Sequence, residues 1–149
     1  MAARRRRPAV ARRFLRPDPE VVRAAALRAL RRAGRPFESQ AALRRAMLPL
    51  LREEERRFAL GGARMRRLLL DSPALRLEVH YAKRPTDRPI DRCPVCRSDL
   101  VPIRNRTLTG GVVTLGFRCG RCQYWTHLER RVPVRYRFLR AGVRRARPG

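Results

Sequence analysis

The sequence predicts an α+β protein in which helices come first and a β-rich, cysteine-containing segment follows. Apolar residues recur at helical spacing through residues 18–70 and then alternate with polar residues from Leu75 to Tyr81. Two Cys-x-x-Cys pairs, with 22 residues between them, lie in the C-terminal half. Pairs at this spacing are typical of a small β segment that closes around a metal ion. These three observations define the fold class.

Start and stop signals delimit the first two predicted helices. An Asp-Pro pair and a glycine bound the first helix, over residues 18–34. A second helix is expected to open near Ser39. Pro49 lacks the backbone N–H that an inner helical turn needs, so we expect a break or kink near Leu48 and a fresh start that runs through Phe58.

The third predicted helix, residues 63–70, is short and basic. Met65, Leu68 and Leu69 share one face by their i, i+3 and i+4 spacing, which marks that face as the buried one. We therefore expect the arginines on the other, exposed faces. A guanidinium fork matches both a phosphate and the edge of guanine, which makes these side chains candidates for contact with nucleic acid. They are Arg64, Arg66 and Arg67.

The alternating pattern predicts a strand over residues 75–81. Three helices followed by a strand is the element order of a winged helix-turn-helix, whose last helix enters the major groove while a strand-and-loop wing lies along the backbone. Residues 82–92, with Lys83 and Arg84, would then form the tip of the wing and a linker. The alternative is that the helices and the strand simply pack together and present a solvated arginine face.

The four cysteines of the chain can converge on one ion. Four thiolates fill the tetrahedral shell of zinc and leave no position for a water molecule, so we expect one structural Zn²⁺ rather than a catalytic metal. Mononuclear iron, an iron–sulfur cluster and two disulfides are the alternatives that four thiols leave open. The predicted ligands are Cys93, Cys96, Cys119 and Cys122.

Two strands, over residues 101–104 and 112–117, are expected between the cysteine pairs and make the segment a zinc ribbon. The connecting turn and the strand that leads to it form a polar finger with Arg104 and Arg106. After the second pair we expect a third strand, with Tyr124 and Trp125 packed near the metal. In this interpretation Trp125 is a lid on the core rather than a platform on which bases stack.

Apolar residues alternate with arginines again near the C-terminus, which predicts a final strand. Its exposed face would carry a row of guanidinium groups. Such a row suits a phosphate backbone, although a solvated sheet face is an equal alternative. The apolar positions are Val132, Val134, Tyr136 and Phe138, and the row consists of Arg131, Arg135 and Arg137.

The chain has a formal charge of +26 from 38 basic and 12 acidic residues, which indicates a polyanionic partner, with nucleic acid as the default. Because we find neither a membrane-spanning apolar run nor a secretory signal, we expect a cytoplasmic protein with no membrane or small-molecule partner.

An N-terminal arm is expected to be disordered and to bind phosphates through Arg4, Arg5, Arg6 and Arg7. The predicted division is a basic arm over 1–17, a winged-helix-like domain over 18–84, a zinc ribbon with the terminal strand over 85–139, and a basic tail over 140–149.

Several short motifs carry a resemblance to a known class of protein: Gly61-Gly62-Ala63-Arg64-Met65-Arg66-Arg67, Cys93-Pro94-Val95-Cys96, Arg104-Asn105, Gly110-Gly111, Gly116-Phe117-Arg118-Cys119 and Cys122. With these motifs the chain resembles small archaeal proteins that pair an N-terminal winged-helix region with a C-terminal zinc ribbon. The resemblance spans roughly residues 18–128 and implies nucleic-acid binding. This chain has Arg97 and Gln123 where such proteins place a glycine after each cysteine pair.

No enzyme is expected, since the chain has no phosphate-cradling glycine loop, no HExxH motif and only two histidines. The first functional hypothesis is a DNA-binding, transcription-related protein whose helical domain binds duplex DNA. The second is a ribosome-associated or rRNA-binding protein, which the basic arms suit equally well. The third is an adaptor in which the ribbon docks on a polymerase or another assembly.

Overall fold

A computed structural model describes residues 16–52, 58–85, 90–127 and 129–142. Within these ranges the protein has three helices and two antiparallel sheets, which confirms the predicted α+β class. No helix of the described part has the length and apolar character needed to cross a bilayer. Residues 1–15 of the predicted N-terminal arm, with Arg4 to Arg7, and residues 143–149 of the predicted tail lie outside the described residues. The elements are α1 (Pro19–Ala33), α2 (Gln40–Leu51), α3 (Gly62–Leu70), β1 (Leu75–Arg84), β2 (Leu100–Arg106), β3 (Val112–Cys119), β4 (Trp125–Thr126) and β5 (Arg130–Arg140).

Side-chain caps fix the starts of α1 and α2. The carboxylate of Asp18 accepts a hydrogen bond from the backbone N–H of Glu20 at 2.8 Å, and the hydroxyl of Ser39 accepts one from the N–H of Ala42 at 3.1 Å. α1 ends at Gly34, whose φ of 63° is a left-handed conformation that glycine adopts without a steric cost. The start and stop signals of the first helix, and the start near Ser39, are confirmed.

The break predicted near Leu48 is wrong, because α2 continues through Pro49 to Leu51. Pro49 lies in the last turn, where its missing N–H removes only the hydrogen bond to the carbonyl of Arg45. Both residues are exposed, so water can satisfy that carbonyl. The predicted continuation toward Phe58 passes through residues 53–57, which lie outside the described residues.

The five strands of the described residues form two separate sheets. We call residues 90–127, which contain the four cysteines, the ribbon. β2, β3 and β4 form one sheet within the ribbon, and β1 pairs with β5 in the other sheet. We expected the terminal strand to belong with the ribbon, but β5 pairs with β1 along its length, from Leu75 opposite Arg140 to Arg84 opposite Arg130. The ribbon therefore lies in sequence between the two strands of a single hairpin-like pair.

The loop between α1 and α2 also pairs with β5. Phe37, between α1 and α2, forms a bridge to Phe138 through backbone hydrogen bonds of 3.0 and 2.9 Å. Phe138 is buried in the helical core. The C-terminal strand therefore closes the core that the three helices begin, and the helical half needs residues from both sides of the ribbon.

Two clusters of buried side chains meet at shared residues. One cluster fills the space between the helices and β5, with Val22 and Met65 among its members. The other surrounds the cysteines and includes Tyr124. Leu77 of β1 and Tyr136 of β5 pack against both clusters. The cysteine cluster and the helical half thus share one continuous core, so we expect them to unfold together.

Arg66 joins α3 to the ribbon from inside the protein. Its side chain is largely buried, with the residue 9% exposed; Nε donates to the carbonyl of Val95 at 2.8 Å and Nη1 donates to Oε1 of Gln40. Its guanidinium carbon lies 4.4 Å from the ring centroid of Tyr136. The exposed position that helical spacing predicts for Arg66 is therefore wrong. The Nε and Nη1 groups of Arg66 instead donate hydrogen bonds to Val95 and Gln40 within the protein.

Arg121 makes a second link between the ribbon and α3. Its Nε donates to Oδ1 of Asp71 at 3.2 Å, and its Nη2 donates to Oδ2 of the same carboxylate. Nη2 also lies 3.4 Å from the carbonyl of Arg67, which accepts a further hydrogen bond. Asp71 caps the C-terminus of α3. One arginine therefore ties each cysteine pair to this helix, since Val95 belongs to the first pair and Arg121 to the second.

The contrast between two neighbouring arginines tests this arrangement. We expect Arg66→Ala to lower the free energy of unfolding by about 2–4 kcal/mol, because it leaves the buried Val95 carbonyl and Gln40 amide without their charged donor. Arg67→Ala removes an exposed side chain and is expected to change the free energy of unfolding by less than about 0.5 kcal/mol. Urea unfolding of both variants measures the difference. Equal effects of the two substitutions would contradict the internal role of Arg66.

Candidate metal centre

The four predicted ligands converge. The sulfur atoms of Cys93, Cys96, Cys119 and Cys122 all lie within 4.8 Å of one another. The sulfurs of Cys93 and Cys122 are 3.4 Å apart, and those of Cys96 and Cys119 are 3.5 Å apart. Sulfurs bound to one tetrahedral zinc at about 2.3 Å would be about 3.8 Å from one another, whereas a disulfide would bring two of them to about 2.05 Å. The cysteines are free, and the arrangement can hold a single metal ion.

Backbone hydrogen bonds shape each cysteine pair into a tight turn. In the first turn the N–H of Arg97 donates to the carbonyl of Cys93 at 2.9 Å, and the N–H of Cys93 donates to the carbonyl of Ser98 at 2.9 Å. In the second turn the N–H of Cys119 donates to the carbonyl of Tyr124 at 2.7 Å. These hydrogen bonds hold the backbone of the two turns on which the sulfurs are carried.

Arg97 and Gln123 adopt the conformation that glycine would provide. They follow the two cysteine pairs, and their φ angles are 65° and 59°. A side chain in this left-handed region costs roughly 1 kcal/mol relative to glycine. The local geometry of the turns is therefore retained without glycine. Arg97 and Gln123 thus keep the turn conformation that glycine would adopt, at the cost of backbone strain.

Burial and hydrogen bonds between the thiols lower the pKa of one cysteine and raise the pKa values of two others. The pKa of Cys93 is lowered, chiefly because Cys122 donates a hydrogen bond to its sulfur. The same contact, together with burial, raises the pKa of Cys122, and burial raises the pKa of Cys96. One thiol thus ionises readily while two others hold their protons more tightly than an exposed cysteine. A metal ion must displace those protons in order to bind.

The donor set fits a structural metal. Four sulfurs complete a tetrahedral shell, so no coordination position remains for water or substrate. Cys93, Cys96 and Cys119 are buried and Cys122 is half-buried, which shields the site from solvent. Thiolates suit both zinc and iron, and the geometry alone does not select one of them. In this chain the site can act as a cross-link between two turns that lie far apart in sequence.

The other predicted site residues are distributed over separate surfaces. Arg67 is exposed on α3, whereas Arg64 is half-buried and its Nη2 donates to the carbonyl of Pro17 at 3.0 Å. The Nη1 atom of Arg64 is buried and has no hydrogen-bond partner within the described ranges. α3 therefore offers one fully exposed arginine and not three. The remaining predicted contacts, Lys83, Arg84, Arg104 and Arg106, are exposed on β1 and β2.

Two expectations about aromatic and basic side chains are wrong. Tyr124 packs into the cysteine cluster at 1% exposure, but its neighbour Trp125 is 43% exposed and is not a lid on the core. Arg131 does not lie in a row with Arg135 and Arg137, because a shift in register between His80 and Tyr81 changes the face on which it lies. Pro133, inside β5, is the sequence signal that could have indicated this bulge.

Arg131 instead lies between two rings. Its guanidinium carbon is 4.3 Å from the ring centroid of Tyr81 and 4.2 Å from that of Trp125. Arg137 lies on the other face of β5 and bonds to Glu38 at 2.8 Å and to Glu78 at 3.3 Å. Of the expected row, Arg135 alone is fully exposed. The row is thus replaced by one stacked arginine, one ion-paired arginine and one exposed arginine.

Comparison of the chain with protein-family models, with curated proteins and with solved structures returned no match.

The strain in the second turn can be tested at Gln123. We expect Gln123→Gly to stabilise the metal-bound protein by about 0.5–1 kcal/mol, because relief of the left-handed strain exceeds the added entropy of the unfolded chain. Gln123→Ala keeps a Cβ atom and should give no such gain. Thermal unfolding of the two variants at equal metal content measures the difference. If both are equally stable, the turn is not strained at this residue.

The raised thiol pKa values predict that metal affinity falls as pH falls. A proton that is held more tightly competes better with the ion, and the competition grows below neutral pH. At pH 7 we expect binding of Zn²⁺ to release the protons of Cys96 and Cys122, whose pKa values are raised, but none from Cys93, whose pKa is lowered to about 5. Calorimetric titration in buffers of different ionisation enthalpy counts those protons. An affinity that stays constant from pH 8 to pH 6 would be inconsistent with this account.

Proposed function

We propose that the protein binds nucleic acid and that one structural Zn²⁺ at the four cysteines holds its binding surface in shape. The observation that carries this proposal is the charge of the ribbon. Residues 100–127 contain no Asp or Glu, while Arg104, Arg106 and Arg118 are exposed on its strands. A surface of exposed guanidinium groups, on a segment without carboxylates, favours a phosphate backbone. The formal charge of +26 has the same sign and the same implication.

The acidic residues of the described chain lie outside residues 100–127, and several of them have basic partners. Asp71 binds Arg121, Glu78 binds Arg137, and Asp99 lies 3.8 Å from Arg92. These acids therefore neutralise arginines that have structural or peripheral positions. The exposed arginines of β2 and β3 keep their charge for an external partner.

The strand pairing supports a winged helix as the form of the helical half. Its order is α1, the Phe37 bridge, α2, α3, β1 and β5, with Phe37 paired to β5 and β5 paired to β1. We propose that this order and pairing form a winged helix in which the ribbon takes the place of the wing. On this basis we propose duplex DNA as the first candidate partner and a transcription-related role.

The contacts of α3 change which residues would bind DNA. Arg66 is buried and Arg64 is anchored to Pro17, so Arg67 is the arginine that α3 can offer. We therefore assign most of the phosphate contacts to the ribbon, through Arg104 and Arg106, and a smaller share to Arg67. Sequence reading by α3 would be correspondingly weak, and binding would depend more on salt than on base sequence.

Ribosome-associated RNA is the second candidate partner, and the exposed Trp125 favours it. Sequence-specific recognition of RNA commonly uses aromatic side chains on which unpaired bases stack. Trp125 is exposed beside Arg118 and Arg131, which are both basic. Co-sedimentation with ribosomal particles at high salt would favour this candidate, and binding of duplex DNA alone would favour the first.

Salt dependence tests the proposed function and locates the contacts. We expect the ribbon double variant Arg104→Gln/Arg106→Gln to lower affinity for duplex DNA about tenfold and to reduce the slope of log K against log salt by about 2, which corresponds to two lost phosphate contacts. The same charge change at Arg44 and Arg45, exposed on α2, serves as the matched control. Fluorescence anisotropy of a labelled duplex between 50 and 300 mM salt gives both quantities. Equal losses from the two double variants would rule out the ribbon as the main contact, and binding too weak to detect would refute the proposal itself.

A further inference from the structure

A depression of about 310 Å³ lies where the open end of the β1–β5 pair meets the ribbon. It belongs to neither the metal site nor α3. Two cationic groups, two aromatic rings and one carboxylate line it. These side chains are Lys83, Arg131, Trp125, His127 and Glu129.

Trp125 supplies the apolar wall of the depression. It is 43% exposed, although it follows Tyr124, which is buried in the cysteine cluster. His127 is also exposed, and its ring centroid lies 5.0 Å from that of Trp125 with the two planes at 68°. The exposed part of the indole is an apolar surface that a flat ligand can cover. The protein core leaves this surface free for a partner.

Arg131 supplies a fixed positive charge at the same place. The guanidinium is held between the rings of Tyr81 and Trp125, and Nη1 lies 3.4 Å from the carbonyl of Trp125, to which it donates. The backbone N–H of Arg131 donates to the hydroxyl of Thr126 at 2.9 Å, and its carbonyl accepts from the hydroxyl of Tyr124 at 2.7 Å. The charge is therefore pre-organised, so little side-chain entropy is lost when an anion binds.

Further cations flank the indole. Arg118 of β3 lies directly opposite Trp125 in the register of the ribbon sheet, so both side chains are on one face. Lys83 is exposed at the rim, 4.0 Å from Glu129. Both members of that pair are well exposed, so an incoming phosphate can replace the carboxylate at little cost. Aromatic rings and basic groups thus alternate along this edge of the ribbon.

We propose that this surface, Trp125 with Lys83, Arg118, His127 and Arg131, binds an unpaired nucleotide of single-stranded nucleic acid. The base stacks on the exposed part of the indole, and the flanking phosphates contact the guanidinium and ammonium groups. Duplex nucleic acid does not fit, because its base faces are covered by neighbouring bases. This inference rests on the proposed function and specifies the form of nucleic acid that the ribbon edge takes.

Trp125 is the one tryptophan of the chain, so its fluorescence reports the site directly. We expect twelve-nucleotide oligo(dT) and oligo(rU) to quench it in a saturable way, whereas a twelve-base-pair duplex leaves it nearly unchanged. The comparison of oligo(dT) with oligo(rU) shows whether the sugar matters. Quenching by the duplex to the same extent would overturn the assignment to a single strand.

Substitutions test the stacking contact by anisotropy of labelled oligonucleotides. Trp125→Ala is expected to weaken binding of oligo(dT) roughly 5- to 100-fold, the range for loss of one stacked base, while Trp125→Phe retains most of the affinity. Val21→Ala, which removes exposed apolar area from α1, serves as the control and should change nothing. Equal zinc content in all variants shows that the fold is kept.

The outcomes separate this inference from the proposed function. Unchanged affinity of Trp125→Ala for oligo(dT), with no quenching in the native chain, would overturn the platform even if duplex binding and its salt dependence were intact. Failure of the native chain to bind any of the oligonucleotides or duplexes would overturn both proposals together.

Discussion

The cysteine cluster packs directly against α3, β1 and β5, and this contact holds the two halves of the protein together. Leu77 and Tyr136 pack against both the cysteine cluster and the helical core. Each of these two cores therefore needs side chains that it shares with the other. Arg66 and Arg121 add a hydrogen-bonded link from each cysteine pair to α3. A metal ion bound by the four cysteines would draw the two turns together and would thereby also fix the position of this helix. In a chain of 149 residues, such a cross-link adds stability that a small core supplies only in part.

Local features of the fold could be predicted from the sequence, and long-range ones could not. The Asp-Pro start of α1, the alternating strand after α3 and the convergence of the four cysteines all follow from signals within a few tens of residues. The burial of Arg66 does not, because its partners at Val95 and Tyr136 come from distant segments. Periodicity assigns a face to a residue but does not indicate what will cover that face. Helical spacing therefore marked Arg66 as exposed, and the ribbon covers it.

The same limit explains the outcome for Trp125 and Arg131. A strict period of two along β5 predicts that Arg131 shares a face with Arg135, but one irregular position reverses the assignment for every residue beyond it. Tyr124 and Trp125 are adjacent aromatic residues, and no pattern in the sequence indicates which of the two is buried. The pairing of β3 with β4 decides this, because Trp125 lies opposite the exposed Arg118. The proposed binding surface thus depends on register more than on motif.

We expect the metal site and the helical half to unfold as one cooperative unit. Amide hydrogen exchange of the zinc-loaded chain, before and after removal of the metal with a chelator, measures this cooperativity. Amides of α3, β1 and β5 should lose protection together with those of residues 90–127. Retention of full protection in α3 and in the β1–β5 pair, with loss confined to the ribbon, would contradict it.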